Sequence, residues 1–417
     1  MFDTVFVSKG SVTKRLKVYN PNKNAVRISN ITLAGAATSP FNLVINGVES
    51  PVATNLELRG KDSLYVLVKV NINPSLTNLP FLVLDSVLFE TNGVHQGVKL
   101  IAYGQNAVFH TKKSIGTTTW TKDLPHVLLD TVLVQEGATL TIEKGAQIVG
   151  TTKAVLLVNG RLLVNGTPEE RVSFSGYRRE SDYVVAPGQW EGIRILTKSG
   201  NNSIKYADIR NTLYGVRIGN PGMAGTLIEG CQIQYTFLDG IVAFTSDVKV
   251  VNTLITHFGQ YGFGGLGGGN YEVLYSTIAS YNNMLPRETP AFVLADYIPG
   301  TNIKDKPVNI RLVNSIVYSD GGASFMDELL LDATADATAE VSYNLLRTDL
   351  YKAIFNNSGN ILNMEPKFKD TEKKDFSLSA DSPATAAAVP LPGITTDLKG
   401  EIRSATAPSI GAFEFKQ

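Results

Sequence analysis

Five side chains in the middle of the chain are of types that suit sugar recognition. Tyr214, Asp239 and Tyr261 each stand directly before a glycine, and Arg194 and Arg217 each stand two residues after one. A tyrosine offers a flat apolar face with a polar tip, which suits a sugar ring. Two neighbouring guanidinium groups repel unless an anion lies between them, and their forked donors suit a carboxylate. If the five residues stack in register, they predict a surface that binds an acidic glycan.

Two other interpretations of these residues stay open. Asp208 or another side chain of the protein could place a carboxylate between Arg194 and Arg217, instead of a uronic acid. Each tyrosine could also belong to an ordinary outward stack of side chains on a repeating structure. The alternatives differ in whether the arginines already have a partner within the chain.

A short recurring pattern must position these residues. It consists of an apolar residue, two variable residues, a small or polar residue, one variable residue and a closing apolar residue. The closing residues of four copies are Ile209, Ile233, Ile255 and Ile278, at steps of 24, 22 and 23 residues. A period of this length, without helical periodicity between the copies, indicates a solenoid.

A second register supports the same period. Residues 192–195, 215–218 and 240–243 align, and in each a glycine opens a short strand with alternating faces. The strands are rich in β-branched residues, and the leucine and asparagine signature of a leucine-rich repeat is absent. No segment between the strands is long and amphipathic enough for a helix. These features predict a right-handed parallel β-helix, with coils beginning near Thr131.

Composition limits the classes of partner. The chain has 417 residues, of which 38 are acidic and 38 basic, so nucleic acid is not an expected partner. No apolar run is long enough to span a membrane, and no signal peptide stands at the start. We interpret Met1 as an expression start that replaces a removed leader. The single cysteine, Cys231, stands at a repeat position that we expect to face the core.

Residues 1–106 show a different pattern. About seven short strands alternate with turns such as Asn46-Gly47 and Asn92-Gly93, which predicts an immunoglobulin-like β-sandwich without a disulfide. Such a module serves as a ligand-binding domain or as a spacer, and we favour the spacer. In the link that follows, Trp120 is predicted to cover the open end of the first coil.

Several runs of sequence carry a family resemblance. VNGRLLVNGTPEERVSFSG and GQWEGIRI resemble bacterial right-handed parallel β-helix repeat proteins, and KVYNPNKNAVRISNITLAG resembles the sandwich module of predicted surface lipoproteins of Gram-negative bacteria. The end of the chain resembles their closing segment, although Thr385 and Ala386 stand where an acidic residue is usual. The resemblance implies an extracytoplasmic protein at the outer-membrane surface, held by a leader or lipid anchor outside this chain. The family is largely uncharacterised and shares its fold with polysaccharide lyases, glycoside hydrolases and adhesins.

The predicted β-helix spans residues 107–365, and residues 366–417 are predicted to cap it. One step, from Ile278 to Val317, is 39 residues long and contains four prolines, so residues of about 284–307 are predicted to leave one turn as an insertion. Insertions often line the binding face of a solenoid. Tyr281 and Asp296 are therefore added to the predicted binding residues, with Tyr297 nearby.

Signals for catalysis are weak. A β-helix lyase needs stacked carboxylates for calcium and a basic residue, and a hydrolase needs paired carboxylates. In the stacked repeats we find no column with two carboxylates, and the four histidines are far apart in sequence. Acidic residues after the insertion, from Asp320 to Asp336, are interpreted as a solvated loop. We predict no catalytic residue, no metal ligand and no cofactor, since structural calcium lacks support.

Together these features predict an all-β protein, with an immunoglobulin-like β-sandwich followed by a right-handed parallel β-helix and a C-terminal cap. The leading hypothesis is a non-catalytic, monomeric, extracytoplasmic protein that binds a polysaccharide or has a structural role in the cell envelope. The alternative is a polysaccharide lyase or glycoside hydrolase of the pectate-lyase-like type, acting on an acidic polysaccharide. Two carboxylates within about 10 Å of each other in an outward groove, beside an arginine or lysine, would favour the enzyme.

Overall fold

The computed structural model describes residues 1–219, 225–281, 286–301, 306–320, 327–333 and 337–416. Nearly all regular structure is β-strand, apart from the short helix Lys352–Phe355 and the 3-10 turn Ala36–Thr38. The chain divides into two compact units, Met1–Val108 and Phe109–Gln417. Within the described residues, no helix is long and apolar enough to cross a membrane.

The first unit consists of two sheets around one hydrophobic core. The strands of the five-stranded sheet, in spatial order, are Thr4–Phe6, Val94–Gln105, Phe81–Thr91, Val26–Leu33 and Val52–Leu58. Those of the four-stranded sheet are Lys14–Tyr19, Ser63–Val70, Phe41–Ile45 and Val48–Glu49. All pairs are antiparallel except the first, between Thr4–Phe6 and the strand beside it. Alternate residues such as Val66, Val68 and Val87 are buried between the sheets, so the unit is a β-sandwich.

The second unit is a right-handed parallel β-helix of three long sheets. The arginine sheet, named for Arg194 and Arg217, contains Lys113–Ile115, Val132–Val134, Val155–Val158, Gly192–Ile195, Val216–Gly219, Ile241–Phe244, Phe263–Leu266, Phe292–Ala295 and Leu329–Asp332. The groove sheet contains Thr118–Trp120, Thr139–Glu143, Arg161–Asn165, Asn202–Lys205, Thr226–Glu229, Val248–Val251, Gly269–Leu274, Val308–Val313 and Thr338–Ser342. The isoleucine sheet contains Val108–His110, His126–Leu128, Gln147–Gly150, Val172–Gly176, Ala207–Arg210, Gln232–Thr236, Leu254–Phe258, Thr277–Ser280, Ile316–Ser319, Leu345–Leu346 and Ile361–Leu362.

The predicted repeat register is confirmed. In the isoleucine sheet, Ile209 pairs with Ile233, Ile233 with Ile255, and Ile255 with Ile278, and all four are fully buried. Neighbouring parallel strands lie about 4.8 Å apart, so these side chains form one continuous apolar column. Cys231 is also fully buried, as its position in the repeat predicts.

Glycines at the start of the arginine-sheet strands make room for this column. A Cβ at Gly240 would lie 2.4 Å from Cγ2 of Ile255, and one at Gly262 would lie 2.3 Å from Cγ2 of Ile278. Real Cβ atoms do not approach other carbons so closely, so only glycine fits beside the isoleucine column at these positions. The two sequence registers therefore have a common physical origin.

The first coil begins earlier than the sequence suggests. Strands from Val108–His110 onward already form a coil, whereas the repeat pattern becomes visible only near Thr131. Trp120, which was predicted to lie in a link before the first coil, instead belongs to a strand of that coil and is 3% exposed in the core of the β-helix. Its ring stacks on His110 and His126, with centroids 4.8 and 4.5 Å away. Because this coil contains many polar residues, the apolar repeat pattern is not visible in its sequence.

The segment after Asn363 packs along the isoleucine sheet. It includes the hairpin Phe368–Asp370 with Asp375–Leu378. Arg403 lies 4.1 Å from the ring centroid of Tyr275 and donates to Oδ1 of Asn252 at 2.9 Å. Further along the sheet, the hydroxyl of Thr277 accepts the backbone N–H of Ala412 at 2.9 Å. These contacts seal the sheet from solvent.

Candidate functional site

The arginine sheet brings most of the predicted binding residues to one outward face, which we call the arginine face. Arg194 pairs with Arg217, and Val242 follows on the next strand. The guanidinium groups therefore start from Cα atoms about 4.8 Å apart. Arg194 makes an ion pair at 3.4 Å with Glu191, three residues earlier, and both side chains are half-buried. A carboxylate of the chain thus balances Arg194, although it is Glu191 and not Asp208.

Asp208 lies on a different sheet and has its own partner. Its Oδ1 accepts a hydrogen bond from Nε of Arg171 at 2.7 Å, on the outward side of the isoleucine sheet. The guanidinium of Arg171 also donates to the carbonyl oxygen of Gly230 at 2.8 Å. Asp208 therefore serves to join coils and does not face either arginine of the arginine face.

Arg217 is held between two aromatic rings. Its guanidinium carbon is 5.2 Å from the ring centroid of Tyr214 and 5.1 Å from that of Phe244. Both distances are typical of cation–π contacts. Within the residues that the structure describes, Arg217 makes no ion pair with a carboxylate. The guanidinium therefore packs near both rings, and a charge-assisted bond to an anionic ligand would add to these contacts.

Asp239 lies beside this stack and is 4% exposed. Its Oδ1 accepts the backbone N–H of Tyr261 at 3.0 Å. Burial raises the pKa of Asp239 to about 6, even though this hydrogen bond and the charge of Arg217 act in the opposite direction. The group is consequently a carboxyl that changes charge in mildly acidic solution.

The two tyrosines lie against the sheet. Tyr214 and Tyr261 are half-buried and pack with Phe244 against an apolar cluster around Val242 and Val293. Burial, and then the charge of Asp239, raise the pKa of Tyr261. The rings thus cover the middle of the arginine face and expose only part of their surface to a ligand.

The insertion borders this face in two pieces. Phe292–Ala295, in the middle of the predicted excursion, is a regular strand of the arginine sheet. The extra residues therefore fall in the turns before and after it, and residues 284–285 and 302–305 lie outside the described part of the chain. Asp296 follows this strand and is 4% exposed. Next to it, the Tyr297 hydroxyl donates to Oδ2 of Asp332 at 2.5 Å, and Ile298 packs on the apolar cluster.

Tyr281 does not join the arginine face. It is 8% exposed under the C-terminal segment, against Phe368, Phe376 and Tyr318. Its hydroxyl donates to Oε1 of Glu365 at 2.6 Å. Tyr281 follows an isoleucine-sheet strand, and the segment that covers this strand comes from far along the chain. The prediction that Tyr281 lies on the binding face is therefore wrong.

The prediction that no column of stacked side chains contains two carboxylates is also wrong. Glu191 stands directly before Gly192, one coil before Tyr214 and two coils before Asp239, and the backbone N–H of Tyr214 donates to the carbonyl oxygen of Glu191 at 3.1 Å. Two strand spacings amount to about 10 Å. A second such column, containing Glu272 and Glu340, lies on the groove sheet. Comparing Glu191 with the residue before each later glycine would have found the first.

The acidic residues after the insertion do not form one solvated loop. Glu328 is fully buried and makes an ion pair at 2.7 Å with Arg287, a residue of the insertion. Asp327 accepts backbone N–H groups of Asp349 and Leu350 at 2.7 and 2.9 Å. Asp336 lies outside the described residues. The first two carboxylates hold chain segments in place.

Two histidines that are separate in sequence meet in the first coil. Nε2 of His110 and Nδ1 of His126 are 3.0 Å apart, and both rings are buried. Burial lowers the pKa of each to about 4. Among the described residues, no group of three or more histidine, cysteine or acidic side chains could hold a metal ion.

No family model and no curated protein sequence matches the chain. Among solved structures, the chain is similar to pectate lyase Pel9A, with 12% identity, 75% of this chain and 88% of that chain covered, and a TM-score of 0.34. It is also similar to the catalytic unit of a thermostable GH87 α-1,3-glucanase from Streptomyces thermodiastaticus, with 9% identity, coverages of 79% and 73%, and a TM-score of 0.34. At such low identity, these likenesses do not bear on what this chain binds.

Proposed function

We propose that the protein binds an acidic polysaccharide, without cleaving it, through the arginine face. The observation that carries this proposal is Arg217, whose guanidinium is fixed between Tyr214 and Phe244 and makes no ion pair within the described residues. A charge-assisted, bidentate bond to a uronic acid carboxylate would complete its donors. Holding the group in advance lowers the entropy lost on binding.

A polysaccharide on this face runs parallel to the solenoid axis. It meets Arg194 and Arg217 on successive coils, and the exposed parts of the Tyr214 and Tyr261 rings contact sugar rings on the way. Each ring contact contributes on the order of 1 kcal/mol, so the affinity is weak for a disaccharide and rises with chain length.

Calorimetry with Arg217→Ala tests this proposal. Oligogalacturonates of increasing length and neutral oligosaccharides of matching length serve as probes. Arg217→Ala is expected to weaken binding of the acidic series by roughly tenfold or more, since one charge-assisted pair is lost. Arg161→Ala, which removes an exposed arginine of a different sheet, is the control. Equal losses for acidic and neutral probes, or no effect of Arg217→Ala, would contradict the proposal.

The second candidate is a glycoside hydrolase that uses the same face. It is favoured by Glu191 and Asp239, a half-buried carboxylate and a buried carboxyl with a pKa of about 6, beside the two arginines. A buried carboxyl with a raised pKa can act as a general acid, with a second carboxylate nearby as base. Release of reducing ends from polygalacturonate, lost in both Asp239→Asn and Glu191→Gln, would support this candidate. A lyase would instead release unsaturated products, which absorb ultraviolet light.

For the whole chain, we propose an extracytoplasmic, monomeric protein of the cell surface. The N-terminal β-sandwich would be immunoglobulin-like and act as a spacer. These statements rest on the resemblance to predicted surface lipoproteins. Analytical ultracentrifugation and surface labelling of intact cells that produce the full-length protein would test them.

A further inference from the structure

A groove of about 660 Å³ lies on the outward side of the groove sheet. It crosses five strands, from Thr226–Glu229 to Thr338–Ser342. Four strand spacings give a length of about 19 Å, the extent of a short oligosaccharide lying along the solenoid axis. This groove is on a different sheet from the arginine face.

One wall of the groove is a ladder of short polar side chains. Oδ1 of Asp247 accepts the side-chain amide of Asn270 at 2.8 Å, and Oδ1 of Asn270 accepts the amide of Asn309 at 2.8 Å. Oδ1 of Asn309 accepts the hydroxyl of Thr338 at 2.5 Å. These bonds use one N–H of each amide, and each amide group has two. The ladder thus presents further donors and acceptors at the strand spacing.

The other wall is a row of alternating charges. Lys249 pairs in register with Glu272, Glu272 with Arg311, and Arg311 with Glu340. Lys249 and Glu272 form an ion pair at 2.9 Å, and Arg311 and Glu340 form one at 3.0 Å. Each cation of this wall therefore already has an ion-pair partner within the chain.

The charges of the groove decide which ligand suits it. Asp247, Glu272 and Glu340 against Lys249 and Arg311 leave a formal charge of −1. An acidic chain would meet net repulsion and would have to displace glutamates from their cations. A neutral chain of sugars meets no such penalty, and its hydroxyl groups can both donate to carboxylates and accept from amides.

We propose that this groove is a second binding site, for an uncharged stretch of linear polysaccharide. The arginine face and the groove would then select opposite ligands, an acidic chain on one sheet and a neutral chain on another. The inference does not depend on the proposed function, because it uses different residues and a different ligand class.

The test uses calorimetry of the full chain with cellohexaose, laminarihexaose and mannohexaose, and with a galacturonate hexamer for comparison. Asn309→Ala removes the middle rung of the ladder and is expected to weaken binding of a neutral hexamer by roughly fivefold, the loss of one or two neutral hydrogen bonds. It should leave the acidic hexamer unaffected, and Arg217→Ala should leave the neutral hexamer unaffected.

A second variant separates binding from folding. Thr338→Val keeps the shape of the outermost rung and removes its hydroxyl, and a thermal melt identifies any loss of stability. The proposal is overturned if none of the three neutral hexamers binds at millimolar concentration. It is also overturned if Asn309→Ala and Thr338→Val bind a neutral hexamer as tightly as the unchanged protein, or if Arg217→Ala removes that binding. Failure of the acidic hexamer to bind would count only against the arginine face.

Discussion

Replacing Glu328 by glutamine should destabilise the β-helix strongly. The Glu328 carboxylate is fully buried and contacts Nη2 of Arg287 through Oε1 at 2.7 Å. Its Oε2 accepts the backbone N–H of Ala291 at 2.9 Å. Glutamine has one acceptor oxygen where the carboxylate has two. Its NH₂ group must therefore face either the guanidinium or the backbone N–H, both of which are donors.

The magnitude follows from the burial of both partners. The Arg287 side chain is 6% exposed and lies 5.3 Å from the ring centroid of Phe258, so water cannot readily replace the lost carboxylate. Removing one partner of a buried ion pair costs about 3–5 kcal/mol, because the other charge stays buried and loses its oppositely charged partner. Replacing both residues, as in Arg287→Met with Glu328→Leu, should cost less than Glu328→Gln alone.

Urea unfolding followed by tryptophan fluorescence measures this difference. The two tryptophans, Trp120 and Trp190, both belong to the second unit, so their signal reports the β-helix. The matched control is Glu340→Gln, which breaks an exposed pair with Arg311 and should cost below about 1 kcal/mol. If the two single variants unfold at the same urea concentration with equal slopes, the reasoning about burial is refuted.

Two further predictions concern buried groups. Cys231 should react slowly with a thiol reagent in the native state, because it is fully buried and burial raises its pKa to about 12; rapid stoichiometric labelling without denaturant would contradict this. The folded-state pKa values of His110 and His126 lie near 4, below the ordinary value of 6.5. Between pH 4 and pH 6.5 the unfolded chain therefore binds more protons than the folded protein. Stability should therefore be complete above pH 6.5 and fall as the pH drops towards 4. Melting temperatures of the protein and of His110→Gln at pH 7 and pH 4.5 measure this loss, which should be smaller in the variant; an equal loss would refute it.

The sequence predicts the β-helix because the repeat is local. Ile209, Ile233, Ile255 and Ile278 are spaced by almost constant steps, and burial of one face requires that spacing. The column of Arg194 and Arg217 follows from the same register. Residues that stack on neighbouring coils can therefore be identified by aligning the sequence with itself.

Features that depend on distant segments could not be found in this way. Tyr281 has the composition of a binding residue, but the segment around Phe368 and Phe376 covers it. The groove column crosses the long step between Glu272 and Arg311, where the alignment of repeats is broken by the insertion. A uniform repeat period does not predict that a distant segment covers Tyr281. It also does not predict that a row of stacked side chains continues across an insertion.

The C-terminal segment has a consequence for biosynthesis. Asn252 is joined to Arg403 across 151 residues, so the coil that contains Asn252 is synthesised long before its partner. Until then the outward side of the isoleucine sheet, with Leu254 and Tyr275, lacks its cover. Exposed apolar strands of this kind are prone to aggregate during synthesis. Aggregation is therefore most favoured after the coils have formed and before the C-terminal segment covers the isoleucine sheet.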